Sequence, residues 1–177
     1  MNPRSQAPTA SRAAAFVFVS CLALLTGVPA LSGPASPAAL RLDAIQATVD
    51  DLRSRLAIRE TVQVAVVPAN KLLLSVETEK GRGGPFHLSI DAGFLEELTS
   101  DELDAALAHE LGHVWIFTHH PFLQTERLAN EIALRVVERK QLELVYRKMW
   151  ARLGRTGEVD DVLGEPIEAA PPTKRVQ

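Results

Sequence analysis

The sequence predicts an α+β domain: an N-terminal helix, a small three-stranded sheet, and two long helices running antiparallel to each other. Three observations carry that expectation. Apolar residues recur at three- and four-residue steps from Leu42 to Leu56, the pattern of one buried helix face. Three short stretches, Val62 to Val67, Leu72 to Val76 and Phe86 to Ile90, are β-branched or alternate apolar with polar residues, as half-buried strands do. From Thr99 the chain returns to helical periodicity, in two runs divided at Pro121, a residue that ends helices.

Ahead of these elements, Arg4 and Arg12 form a positive stretch before an apolar run from Ala13 to Leu25, and Val28-Pro29-Ala30 offers small residues in the spacing of a cleavage site. Residues 1–30 are therefore expected to be a signal peptide, and the protein to be exported to the periplasm or secreted. The apolar run falls short of the ~20 residues of a comfortable membrane span; left uncleaved, it would tether the chain to a membrane. The single cysteine, Cys21, lies inside this run. Phe18-Val19-Ser20-Cys21 is only faintly like a lipoprotein box, because apolar residues continue past the cysteine. A mature chain without it has neither disulfides nor thiolate metal ligands. Net charge is −3, with no polybasic run, which argues against nucleic acid as a partner.

Residues 31–39, rich in Ser, Pro and Ala, are expected to be a linker, and residues 40–153 the folded domain. The helix from Leu40 to Leu56 sets Leu42, Ile45, Val49, Leu52 and Leu56 on one stripe, a face for the domain's own core in preference to a partner helix. Pro68 ends the first strand, and Gly81-Arg82-Gly83-Gly84-Pro85 is a turn between the second and third. That turn lacks the Lys-Ser/Thr and the helix start of a phosphate-binding loop. Phe86 to Ile90 is either a sheet edge for an extended peptide or an ordinary internal strand. Thr99 with Glu102 three residues later forms a capping box, opening a helix to about Thr118. The second long helix is expected from Gln124 or Thr125 to about Leu153. Residues 154–177, with Gly, Pro and charge but little periodicity, are expected to be a disordered tail.

The first of the long helices carries His109-Glu110-Leu111-Gly112-His113, an HExxH sequence. Side chains four apart share a helix face, so both imidazoles can bind one metal ion, and Glu110 sits where a carboxylate takes a proton from an activated water. A catalytic zinc uses three protein ligands, so a third residue is needed. If the helices form a hairpin with its apex at His119 and His120, Glu126 lies as far after the apex as His113 lies before it. Asn130 matches His109 in the same way, since both helices rise ~1.5 Å per residue. Glu126 is thus favoured as third ligand, with the Asn130 amide behind it to orient an imidazole. The alternative is His119, at the third-histidine position of the metzincin pattern. That geometry needs a glycine where this chain has Ile116, within a continuing helix. His119, His120 and Tyr146 are candidates by residue type to stabilise an oxyanion, whereas Trp115, Phe117 and Trp150 are expected to pack.

From Asp91 to His113 the chain resembles the CaaX prenyl endopeptidase family and its small soluble relatives, the minigluzincins. The residues that carry this are Asp91-Ala92-Gly93-Phe94-Leu95, Leu98-Thr99-Ser100-Asp101-Glu102-Leu103 and Ala105-Ala106-Leu107-Ala108-His109-Glu110-Leu111-Gly112-His113. Glu126-Arg127-Leu128-Ala129-Asn130 is similar to that family's Glu-x-x-Ala-Asp motif, with Asn130 where aspartate is usual, and it follows His113 at a much shorter distance than is common there. The Glu-x-x-Ala-Asn form is also similar to the cytoplasmic peptidases that cleave phage-type repressors. The resemblance implies a minimal zincin, with Zn²⁺ on His109, His113 and Glu126, Glu110 as general base, and peptide or protein substrates; a monomer is expected. The other readings are a zincin-like domain that binds zinc without hydrolysis, and a membrane-tethered interaction protein.

Overall fold

The structure, a computed structural model, describes residues 37–78 and 84–165. The expected signal peptide and residues 81–83 of the glycine-rich turn lie outside the described residues. Helix α1 is Pro37–Arg55, so the expected linker gives way to helix three residues early; proline is at home in a first helical turn. Ile45, Val49, Leu52 and Leu56 are buried, and α1 packs on the first strand and on the HExxH helix. The apolar stripe is covered by the domain's own core.

Three strands follow: β1 (Val62–Val67), β2 (Leu74–Thr78) and β3 (Phe86–Asp91). Their order in the sheet is β1-β3-β2. β3 runs parallel to β1, pairing Val62 with Phe86, and antiparallel to β2, pairing Leu74 with Ile90. Of the two readings of Phe86 to Ile90, the sheet edge is therefore overturned and the internal strand holds. β3 is central, its backbone engaged on both sides, and Phe86, Leu88 and Ile90 are buried. The strand that borders only one neighbour and packs on the HExxH helix is β2.

Asp91 closes β3 and caps the one-turn helix α2 (Ala92–Leu95), accepting from Phe94 N–H at 2.8 Å and from Asn70 N–H at 3.0 Å. The HExxH helix, α3, spans Ser100–His119 and opens on the expected capping box: Glu102 N–H donates to Thr99 Oγ1, and Thr99 N–H donates to Glu102 Oε2 at 2.7 Å. Burial alone would raise the Glu102 carboxyl, but hydrogen bonds from Lys148 and Thr99 hold it below its ordinary value. Lys148 Nζ donates to this carboxylate at 2.7 Å and to the Glu97 carbonyl at 2.6 Å.

The single long second helix is corrected to two, α4 (Glu126–Ala133) and α5 (Arg139–Leu153). The break falls at Val136-Val137, where two β-branched residues lose side-chain freedom in a helix. Arg55 Nη2 also donates to the Val136 carbonyl at 2.7 Å, the group a continuous helix would offer to the N–H of Lys140. Helix α5 ends at Gly154 in the left-handed region, φ 63°, which glycine adopts without the steric cost of a side chain. Beyond it, part of the expected tail is structured: α6 (Val159–Leu163) buries Leu163. Arg139 holds its end through the Leu163 and Gly164 carbonyls and Asp160. One helical turn has too little periodicity to be read locally. Among the described residues, no helix is long and apolar enough to cross a membrane.

Candidate metal centre

Helix α3 is buried nearly all round, through Ala105, Ala106, Leu107, Ala108, Leu111, Val114 and Ile116. Its small residues let neighbouring backbone approach closely. Opposite Gly112 lies the backbone of Ala129 in α4, and this contact sets the level of the two helices. Thr125 caps α4, its hydroxyl accepting from Leu128 N–H at 3.2 Å, so Glu126 is the first helical residue and faces the two histidines.

There the structure brings three donors together. Glu126 Oε2 lies 3.2 Å from His109 Nε2, Glu126 Oε1 lies 3.6 Å from His113 Nε2, and the two Nε2 atoms are 3.2 Å apart. One donor atom from each residue falls within 4.8 Å of the others. Two ligand arms of about 2.0–2.1 Å meeting at the tetrahedral angle end roughly 3.3 Å apart. The triangle has that size, and two imidazoles with one carboxylate suit a divalent cation of intermediate softness. The residues fit a metal ion.

Each imidazole is oriented from behind. His109 Nδ1 lies 2.7 Å from Asn130 Oδ1, and His113 Nδ1 lies 3.2 Å from Gln124 Oε1. An amide oxygen only accepts, so each ring carries a proton on Nδ1; its Nε2 then donates to Glu126 when the ring is charged and offers a lone pair to a metal ion when the ring is neutral. The level-matched hairpin anticipates Asn130 beside His109. Gln124 is a residue the sequence reading missed, because it sits in the loop just ahead of α4, where no periodicity places it.

A cavity of about 620 Å³ opens on the three donors. Its walls are β2, through Leu74, Ser75 and Val76; α3, through Glu110, Val114 and Phe117; and α5, through Tyr146, Met149 and Trp150. Phe117 packs edge-on against Phe86, with ring centroids 5.6 Å apart; it and Trp150 thus pack and line the cavity at once. Glu110 is 8% exposed. Burial pushes its carboxyl above the usual value, and His109 and His113 pull it back only in part. Glu126 is held well below the carboxylate range by hydrogen bonds from His109 and then His113. For His113, burial works against the charged ring, but the Glu126 hydrogen bond and the Glu110 charge leave its value raised.

Of the residues considered as oxyanion stabilisers, only Tyr146 lines the cavity. Its hydroxyl accepts from Asn130 Nδ2 at 2.9 Å and lies 3.4 Å from Glu126 Oε2. Burial raises its pKa well above the ordinary tyrosine value, so it is a neutral donor throughout the working range. His119 is exposed, stacks on Trp115 at 4.2 Å and hydrogen-bonds through Nδ1 to the Trp115 carbonyl. It is not among the clustered donors.

The chain matches no protein-family model and no curated protein. Among solved structures it is similar to the crystal structure of the metallopeptidase zymogen of Pyrococcus abyssi abylysin. Identity is 17%, the TM-score is 0.47, and the match covers 64% of this chain and 99% of that one. A likeness at that level carries no residue role from one chain to the other.

Proposed function

We propose that this chain is a zinc-dependent endopeptidase, with His109, His113 and Glu126 holding the ion and Glu110 acting as general base. The observation that supports this most directly is the donor triangle, with edges of 3.2, 3.2 and 3.6 Å, opening on a cavity that also contains Glu110. Zinc in such a site supplies Lewis acidity, which activates water and polarises a carbonyl. Glu110, its pKa raised by burial, is suited to take a proton from the attacking water and pass it to the leaving amine. Tyr146 is placed to donate to the oxyanion that develops on the scissile carbonyl. Strand β2, bordered on one side only and lining the cavity, is suited to hold an extended peptide by main-chain hydrogen bonds. Export by residues 1–30 would set this activity in the cell envelope or outside the cell, acting as a monomer on peptide or protein substrates.

The deciding experiment compares Glu110→Gln with the wild type. Zinc should bind at one ion per chain in both, and peptide hydrolysis should be lost in the variant. Bound zinc with no hydrolysis by the wild type would favour a non-hydrolytic zincin-like domain, and absence of zinc in both would end the metal reading.

A further inference from the structure

Asn130 is fully buried, and its amide oxygen and both amide hydrogens have partners. Oδ1 accepts from His109 Nδ1 at 2.7 Å, while Nδ2 donates to the Tyr146 hydroxyl at 2.9 Å and to the Val162 carbonyl at 3.0 Å. An amide nitrogen has two hydrogens, and two oxygens stand before it, so the rotation of the group is determined. Val162 belongs to α6 and lines the same cavity as His109. Helix α6 is held besides by Arg139, whose guanidinium donates to the Leu163 carbonyl at 3.2 Å and the Gly164 carbonyl at 2.7 Å at its C-terminal end and to Asp160 at 2.7 Å in its first turn. Nothing in that clamp touches the histidines. The one hydrogen-bonded path from α6 to His109 among the described residues runs through the Asn130 amide.

We propose that Asn130 is a positioning residue that ties helix α6 to the metal centre, so that docking of Val159–Gly164 and metal binding are coupled. An amide is required for this. A carboxylate accepts as well from His109, but it has no hydrogen for the Val162 carbonyl and sets charge against that oxygen. With the tie in place, α6 fixes the amide, and the amide fixes the His109 ring with Nε2 toward Glu126. With α6 undocked, the Asn130 amide loses one of its three anchors, and its rotation is no longer determined. The proposal rests on the zinc reading above.

Coupling is reciprocal: if docked α6 favours the ion, the ion favours docked α6 to the same extent. Hydrogen–deuterium exchange across residues 159–164 of the full chain should therefore slow about 5–10-fold when zinc is added, the low end of ordinary linkage between sites. Arg139→Met, which loosens α6 away from the centre, should weaken zinc binding by the same factor. In an Asn130→Asp background the tie is already cut, so zinc should leave α6 exchange unchanged and Arg139→Met should cost no further affinity. A residue that merely filled space would give additive losses and no zinc-linked protection. If Asn130→Asp does not fold, Arg139→Met and the wild-type exchange still decide. Zinc bound at one ion per chain with α6 exchange indifferent to it would overturn the coupling and leave the peptidase reading intact. No zinc binding by the wild type would overturn both.

Discussion

A Cβ placed on Gly112 would stand 2.4 Å from the carbonyl oxygen of Ala129 and 2.9 Å from its Cα, so α3 and α4 meet backbone to backbone between the two histidines and the residues that face them. The contact lies one turn of α4 beyond Glu126 and next to Asn130. It is therefore the spacer that decides whether those two side chains reach His113 and His109.

Gly112→Ala is expected to force the helices apart, because backbone cannot yield as a flexible side chain can. Overpacking of this kind costs about 1–3 kcal/mol or more, a clear fall in melting temperature. The same shift withdraws Glu126, so zinc affinity should drop even where the variant remains folded. Melting curves with and without zinc check both; a variant that keeps wild-type affinity would show that the helix spacing does not control the centre.

Glu126→Ala removes the only carboxylate of the donor triangle, whereas His119→Ala removes a ring that stacks on Trp115 outside it. Zinc affinity should fall steeply in the first and stay near wild type in the second, read by competition with a chromophoric chelator. The reverse ranking would move the third ligand to His119.

How much of this was legible in the sequence follows from what each pattern encodes. The meeting of Asn130 with His109 could be anticipated because helical rise is constant and the loop between the two helices is short, so distance from the apex sets level. Val62–Val67 was read with its observed bounds because β-branched residues and Pro68 mark both its nature and its end. Strand order was not legible. Alternation in Phe86, Leu88 and Ile90 reports which face is buried, never which strand lies alongside, and the central place of β3 comes from pairing with a strand more than twenty residues earlier. At the break at Val136-Val137 the Val136 carbonyl is taken by Arg55, eighty-one positions away, and α6 is hydrogen-bonded to Arg139 and Asn130. Both involve long-range hydrogen bonds to backbone carbonyls, which leave no local periodicity; the β-branched pair Val136-Val137 is the one local sign of the break.

Tyr146→Phe separates positioning from chemistry. Loss of the hydroxyl leaves one Asn130 hydrogen without its acceptor, a cost of about 1–3 kcal/mol in stability, yet all three donors to the metal remain. If the hydroxyl serves the developing oxyanion, kcat should fall roughly 10²–10³-fold with KM little changed. An unchanged kcat with lowered stability would confine Tyr146 to supporting Asn130 and Glu126.

Acid stability should turn on Asp91. Hydrogen bonds from the N–H groups of Asn70 and Phe94 are the largest causes holding its carboxyl below the ordinary value, against the effect of burial, and the Arg152 guanidinium adds to them. A carboxyl depressed in the folded state stabilises the protein fully above its unfolded value, near ~3.9 for aspartate, and loses that contribution as pH falls through the folded value. Asp91→Asn keeps an acceptor oxygen but no charge, so it should be less stable than the wild type at neutral pH. The difference in urea midpoint should shrink steadily once pH drops below about 4, as the wild-type carboxyl takes up its proton. Glu102, also depressed, stays in both proteins and makes both lose stability in acid without closing the gap. A gap that keeps its neutral size down to pH 2 would mean that the Asp91 charge contributes nothing to holding β3, α2 and the loop at Asn70 together.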